Sequence, residues 1–367
     1  MTSVLRIDDR SPFHKLIGVG GVGSGIFFAL EGDLTLGRNE SRAAALLDSR
    51  DYCKLHIIMH YVARLLGTGA RGSRFRALPV ARVGDDEAGK MVLREMSEAG
   101  IDTRYVTTMA GKPTLFSVCF QYPDGSGGNL TTSNSAAAEL SADDLRMIVP
   151  ELAGTAQSTI ALATPEVSLE VRRAFLEMAS RGRVFRAASF VSAEVLAGMQ
   201  LGMFRMLDLV SLNQEEAERL TGVEFDPGRS GAFVEVAVQW LSRNYPELRL
   251  IVSAGSHGAY AFYRDRWNHC PAVAVDAMST AGAGDALLAG ILVGLAAGLP
   301  LLRLETNAPD SRVATWQTAL DLGVLLASFK VQSQHTIHPE ACLDTLMEFG
   351  ARRGRHVHSS VEQLVST

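Results

Sequence analysis

Residues 279–290 read STAGAGDALLAG: three small residues, Gly282, Ala283 and Gly284, then Asp285, then an apolar run. The composition predicts a helix that begins at the small residues. The first backbone N–H groups of a helix have no partner within it, and the helix dipole adds partial positive charge at the same end. Glycine lets a phosphate approach the backbone closely, so the segment has the makings of an anion site. An aspartate held there can take a proton from a hydroxyl while the amides stabilise the oxygens of a phosphoryl group in transfer. A simpler reading also fits the spacing: the small residues pack a strand against a helix, and Asp285 is its N-cap.

On either side of this segment, short apolar runs alternate with stretches of helical spacing. Strands are expected over 15–19, 77–83, 158–163, near 184, and over 208–212, 248–253, 259–263 and 272–275. Helices are expected over 52–66, 90–99 and 167–180, from 214 onward, after Gly284 and over 315–328, with Gly67 and Gly100 as stops. Residues 114–122, TLFSVCFQY, are rich in β-branched and aromatic types; PDGSGG follows as a turn, and 129–133 returns as the second strand of a hairpin. This alternation argues for an α/β protein, a mostly parallel sheet covered by helices on both faces. The main domain is expected to span 1–350, with 351–367 as a C-terminal tail.

A chain of 367 residues suits one large domain with a small appendage. Its apolar fraction of 47% is enough for a sizeable core. A net charge of −5 gives no pull toward nucleic acid, and the cluster Arg71, Arg74, Arg76 reads as a solvated loop. Cys53, Cys119, Cys270 and Cys342 form no C-x-x-C pair, which supports neither a zinc knuckle nor a redox dithiol. The N-terminal residues MTSVLRIDDRSPFHK are charged throughout and lack the apolar centre of a signal peptide. The longest uncharged stretch, 286–302, falls short of the roughly 20 residues that span a bilayer. A cytoplasmic protein with no nucleic-acid or membrane partner is expected.

The STAGAGDALLAG stretch resembles the second signature of the PfkB/ribokinase family of carbohydrate kinases, D-T-x-G-A-G-D, with Ser279 in place of its first aspartate. Further segments follow in the family's order. VARVGDDEAG (80–89) is similar to its V-G-x-D-x-x-G turn, and GIDTRYV comes at the spacing of its G-V-D-T segment. DLVSLNQEEAERLTG (208–222) is similar to the segment containing N-x-x-E, and IVSAGSHGAYAF (251–262) to the T-x-G-x-x-G strand and turn. The resemblance implies a ribokinase-like three-layer α/β/α fold with a mostly parallel central sheet and a small β lid, built from segments near 20–45 and 112–134. It implies ATP-dependent phosphotransfer to a hydroxyl of a sugar, nucleoside or related small alcohol. Asp285 would be the general base, and the amides of Gly282, Ala283 and Gly284 the anion hole. Asn213 and Glu216 would order Mg²⁺ through its waters, while Ser253, Gly255, Gly258, Thr280 and Ser328 would border ATP. ATP and Mg²⁺ are thus the implied cofactors, a monovalent cation is left open, and the implied partners are a small-molecule phosphate acceptor and a second copy in a homodimer. From the residues alone, Asn213 and Glu216 serve equally as a capping pair at a helix start.

The match departs on the acceptor side. Such kinases carry an aspartate soon after the first strand and G-G-x-x-x-N on the following helix; this chain has VGSGIFFALEG and DYCKLHIIMHYVARLLG. The acceptor pocket is therefore expected to be rebuilt, with Ser24, Glu31, Arg38, Asn39, Lys54 and His56 as polar candidates. His56 and His60 sit four apart on one helix face, a zinc-compatible spacing with no third ligand evident; packing inside the fold is the plainer reading. His335 and His338 read as a turn beside the nucleotide. The glycines of LIGVGGVGSG (16–25) have the Gly-x-Gly-x-x-Gly spacing of a dinucleotide loop, which also needs a helix to follow and an acid about 20 residues on. Two alternatives to a kinase therefore stand: a catalytically silent metabolite-binding protein on the same fold and, least favoured, an NAD-binding oxidoreductase. No Gly-x-x-x-x-Gly-Lys-Ser/Thr loop occurs.

Overall fold

A computed structural model describes the chain except residues 1–2, 34, 71, 125–126, 154–157, 227–229, 304–314 and 367, and the side chains of 48–49. In chain order its strands are β1 (Val4–Leu5), β2 (Lys15–Val19), β3 (Gly23–Leu30), β4 (Ala44–Tyr52), β5 (Arg76–Gly84), β6 (Val106–Met109), β7 (Leu115–Gln121) and β8 (Gly127–Thr131). There follow β9 (Thr159–Ala163), β10 (Phe185–Ser189), β11 (Leu209–Asn213), β12 (Arg249–Ser253), β13 (Ala259–Tyr263), β14 (Arg266–Cys270), β15 (Thr315–Trp316), β16 (His356–Val357) and β17 (Val365–Ser366).

The central sheet runs β14-β13-β12-β11-β10-β9-β2-β5-β6. Every neighbouring pair from β12 to β6 is parallel, and β13 and β14 add an antiparallel edge. Strand β2, KLIGV, is buried at every residue, as a parallel strand covered on both faces must be. Its side chains alternate between two cores: Leu16 joins one, Ile17 and Val19 the other. Helices Lys54–Leu66, Ala283–Ala296 and Ala319–Lys330 close the first core; Leu169–Ser180, Gln214–Thr221 and Ser230–Asn244 close the second. This is the three-layer α/β/α arrangement expected. Helix Lys54–Leu66 ends at Gly67, whose left-handed backbone (φ 63°) lets its N–H cap the Ala63 carbonyl.

A second sheet, β4-β3-β7-β8, is drawn from the segments near 20–45 and 112–134 and reaches on to Tyr52. Residues 125–126 of its PDGSGG turn lie outside the described residues.

Several elements differ from the expectation. Residues 272–275 form no strand; beyond Pro271 the chain leaves the sheet and the Val273 N–H donates to Ser328 Oγ (3.1 Å), so β14 is the edge strand instead. Residues 351–366 are not a loose tail: β17 pairs with β1, β16 pairs with β15, and Val361 is fully buried. Val357, Leu364 and Val365 supply the apolar surface that docks them on the first core. Helix 315–328 begins later, at Ala319, because Thr318 caps it by accepting from the Asp321 N–H. Arg76 lies in β5, not a loop, and meets Glu151 at 3.0 Å; Arg74 meets Asp9 at 2.6 Å, and Arg71 lies outside the described residues. Among the described residues no helix is long and apolar enough to cross a membrane.

Candidate active site

Parallel strands present their C-terminal ends along one rim, the edge at which open α/β sheets take ligands. A cavity of about 960 Å³ lies there, bounded by the ends of β10, β11 and β12 at Ser189, Asn213 and Ser253. The N-termini of helices Lys54–Leu66 and Ala283–Ala296 bring Lys54 and the Gly282–Asp285 turn to the same space.

Gly282 is the N-cap of the second of these helices, with φ 78° and no side-chain capping bond. A Cβ there would lie 2.8 Å from the Thr336 carbonyl oxygen, so both the backbone angle and the close approach require glycine. Asp285 falls in the first turn and is not the N-cap, which removes the simpler capping reading. Asp285 is only 7% exposed yet lines the cavity beside Gly282, Ala283 and Gly284. Burial raises its affinity for a proton; the Lys54 ammonium, 3.7 Å from Oδ2, opposes that rise.

Asn213 and Glu216 form a full capping box. Asn213 Oδ1 accepts from the Glu216 N–H (2.8 Å), and the Asn213 N–H donates to Glu216 Oε2 (2.8 Å). Both residues also line the cavity, so the capping box leaves them facing it. Burial pushes the Glu216 carboxyl up to about 7. No group of three or more His, Cys, Asp or Glu able to hold a metal occurs among the described residues. Mg²⁺ keeps most of its waters, so a water-mediated contact is the one that a carboxylate already engaged by Asn213 fits.

Along the remaining wall stand Ser253, Gly255, Gly258, Thr280 and Ser328, with Val273, Val275, Val324 and Val331 as an apolar slot. Gly258 has φ 91°, and a Cβ there would overlap the Cys270 carbonyl oxygen at 2.0 Å.

The acceptor candidates divide sharply. Lys54 lines the cavity. Ser24 is buried in β3, and Glu31, Arg38 and Asn39 are exposed on the connection to β4; none of the four lines the cavity. His56 is corrected outright. It is 1% exposed, points into the core with both ring nitrogens unpartnered, and burial pushes it down to about 3. His60 is likewise pushed down by burial, to about 4, and no zinc cluster forms among the described residues. His335 Nδ1 accepts from the Arg50 N–H and His338 stacks on Phe329, both outside the cavity lining. The opening glycines lead into strand β3 instead of a helix, so no helix N-terminus is available there for a dinucleotide pyrophosphate.

Three charged residues were missed. Asp51, buried on β4, accepts from Ser117 Oγ and from Cys119 Sγ (3.3 Å), and its charge reaches Asp285. Lys330 is fully buried and donates to the Ser279 carbonyl oxygen (2.9 Å); burial pulls it down to about 8. Glu166, just past β9, accepts from the Lys54 N–H at 3.1 Å, and burial pushes it up to about 8. Its place beyond a parallel strand was the one available signal.

A family model described as pfkB family carbohydrate kinase matches residues 59–342. The chain is 29% identical over 252 residues to the fructokinase of Klebsiella pneumoniae, covering 64% of this chain and 76% of that one. In structure it is similar to ribokinase from Cryptococcus neoformans var. grubii serotype A in complex with ADP (TM-score 0.70, 16% identity, 91% of this chain and 99% of that one). It is also similar to the Burkholderia thailandensis nucleoside kinase in complex with inosine (TM-score 0.66, 17% identity, 93% and 99% covered). Because the family match runs through most of the chain and includes the Gly282–Asp285 turn, this protein belongs to the pfkB family of carbohydrate kinases.

Proposed function

We propose that the protein transfers the γ-phosphoryl group of ATP to a hydroxyl of a sugar, nucleoside or related small alcohol, with Asp285 as general base. The observation that carries this reading is the buried Asp285 carboxyl in the first turn of a helix whose glycine-rich start lines the same cavity. Asp285 takes the acceptor proton, and the amides at Gly282, Ala283 and Gly284 stabilise the transferring oxygens. The apolar slot at Val273, Val275, Val324 and Val331 suits a flat heteroaromatic base, with Ser253, Gly255, Gly258, Thr280 and Ser328 around it. Asn213 and Glu216 would hold Mg²⁺ through water; when bound, the ion neutralises phosphate charge.

ADP formation from ATP, assayed with D-fructose, D-ribose and inosine as acceptors, tests the reading. Asp285→Asn is expected to lower kcat by ~10²–10⁴ while ATP binding remains measurable by calorimetry. A variant that keeps more than about a tenth of wild-type kcat would count against the general-base role, given that range. A silent metabolite-binding protein would instead show saturable binding of a ligand and no ADP formation with any acceptor.

The second sheet supports a homodimer. Leu46 and Leu130 are 62% and 69% exposed on its outer strands. Leu46 stands opposite Phe28, Phe28 opposite Phe120, and Leu130 opposite Val118, an apolar face that a second copy would cover.

A further inference from the structure

Lys54 occupies an unusual place for a lysine. It is the first residue of helix Lys54–Leu66, whose first turn holds no acid, so its charge works against the helix dipole. The local structure nevertheless holds it there. Its N–H donates to Glu166 Oε2 (3.1 Å), and Glu166 keeps a φ of 76° without being glycine, a costly conformation of the kind that gathers at functional sites. The side chain lines the cavity with Gly282, Ala283 and Gly284, and Nζ stops 3.7 Å from Asp285 Oδ2. Two helix N-termini therefore converge, one carrying amides and a carboxylate, the other an ammonium.

Resting on the kinase reading above, we propose that Lys54 is a further catalytic residue whose ammonium bridges Asp285 and the phosphoryl group in transfer. In that step the acceptor O–H bond breaks and its proton passes to the Asp285 carboxylate. The acceptor oxygen forms a bond to the γ-phosphorus, and the bond from that phosphorus to the β,γ-bridging oxygen breaks, its electron pair leaving with ADP. Lys54 stays protonated. Its charge offsets the oxygens of the transferred group, and it keeps a buried carboxylate ionised and able to accept the proton. Other groups also act on Asp285 or lie in its field: Asp51 raises its proton affinity, Lys330 lowers it, and Glu166, Glu216 and Tyr61 respond to its charge. Among these, Lys54 alone combines the ion pair to Asp285 with a place on the cavity wall; Lys330 is fully buried.

ADP and ADP–aluminium fluoride, a mimic of the phosphoryl group in transfer, test the proposal without a known acceptor. Lys54→Met is expected to bind ADP within about twofold of wild type but to lose about tenfold or more of the tighter binding of ADP–aluminium fluoride, with Lys54→Arg recovering most of it. With D-fructose, D-ribose or inosine, kcat should fall by about 10²-fold and the acid limb of kcat/KM should move to higher pH. Retention of the full aluminium fluoride gain by Lys54→Met, or equal weakening of both complexes, overturns the role of Lys54 alone. Wild-type protein that binds ADP yet gains nothing from aluminium fluoride overturns the kinase reading and the proposal with it. Melting temperatures establish that the variants fold, and Lys54→Gln carries the same comparison should Lys54→Met not fold.

Discussion

Gly282 shows how closely backbone geometry and chemistry are tied at this site. Its positive φ sets the amides at the helix start, and the Thr336 carbonyl oxygen leaves no room for a Cβ. Gly282→Ala is expected to cost about 1–2 kcal/mol of stability, the usual penalty for a left-handed non-glycine residue, read by urea denaturation. It should also lower kcat by tenfold or more, because the shifted backbone turns the amides away from the transferring oxygens and the loss of one such donor costs ~10²–10³; wild-type kcat in a folded variant would argue that these amides are not the anion hole. Asp285 and the glycines before it were legible as a pattern of residue types. Asp51 was not, because nothing local marks it, and Glu166 only through its place beyond a parallel strand; each matters through what packs against it. His56 failed for the opposite reason. A polar residue on a helix is as readily buried as presented, and the helix phase that turned it inward is set by the apolar residues around it.

At the scale of elements, strands with continuous apolar runs and helices ended by glycine were legible, since burial on both faces and a left-handed stop leave direct marks in composition. The second sheet was harder. Strands β3 and β4 pair across a bulge between Gly25 and Phe27, which breaks the alternation that a sequence pattern depends on. Its outward face also carries a prediction. Leu130→Asp together with Leu46→Asp should convert a dimer to a monomer in light scattering, at protein concentrations where the wild type is paired. Unchanged mass in the variant, or a monomeric wild type, would remove the second sheet as an interface. The Asn213–Glu216 box is a case where two readings share one geometry, since a carboxylate that caps a helix can still face a cavity.

Across the whole molecule, the buried histidine pair makes stability depend on pH. Burial holds His56 and His60 down to about 3 and about 4, from an ordinary value near 6.5. The unfolded chain binds protons on them first, so their contribution is whole above pH ~6.5 and is lost as pH falls toward ~4, by up to about 1.4 kcal/mol per pH unit for each. Glu166 and Glu216, raised to about 8 and about 7 by burial, push the other way in part of that window. The measurement is therefore a comparison: His56→Leu should lose less melting temperature than wild type between pH 6.5 and 4, and parallel curves would show that His56 does not titrate on unfolding. Residue types and their spacing were enough for the α/β class, the segments of the parallel strands other than β6, and the Gly-Ala-Gly-Asp turn, because these follow from burial period and helix-end chemistry within a few residues. Which charges meet in the cavity followed from strand order and helix docking: Lys54 reaches Asp285 across 231 positions of the chain and Glu166 across 112. Such pairings exist once distant segments close on one core, and no short stretch of chain carries their geometry.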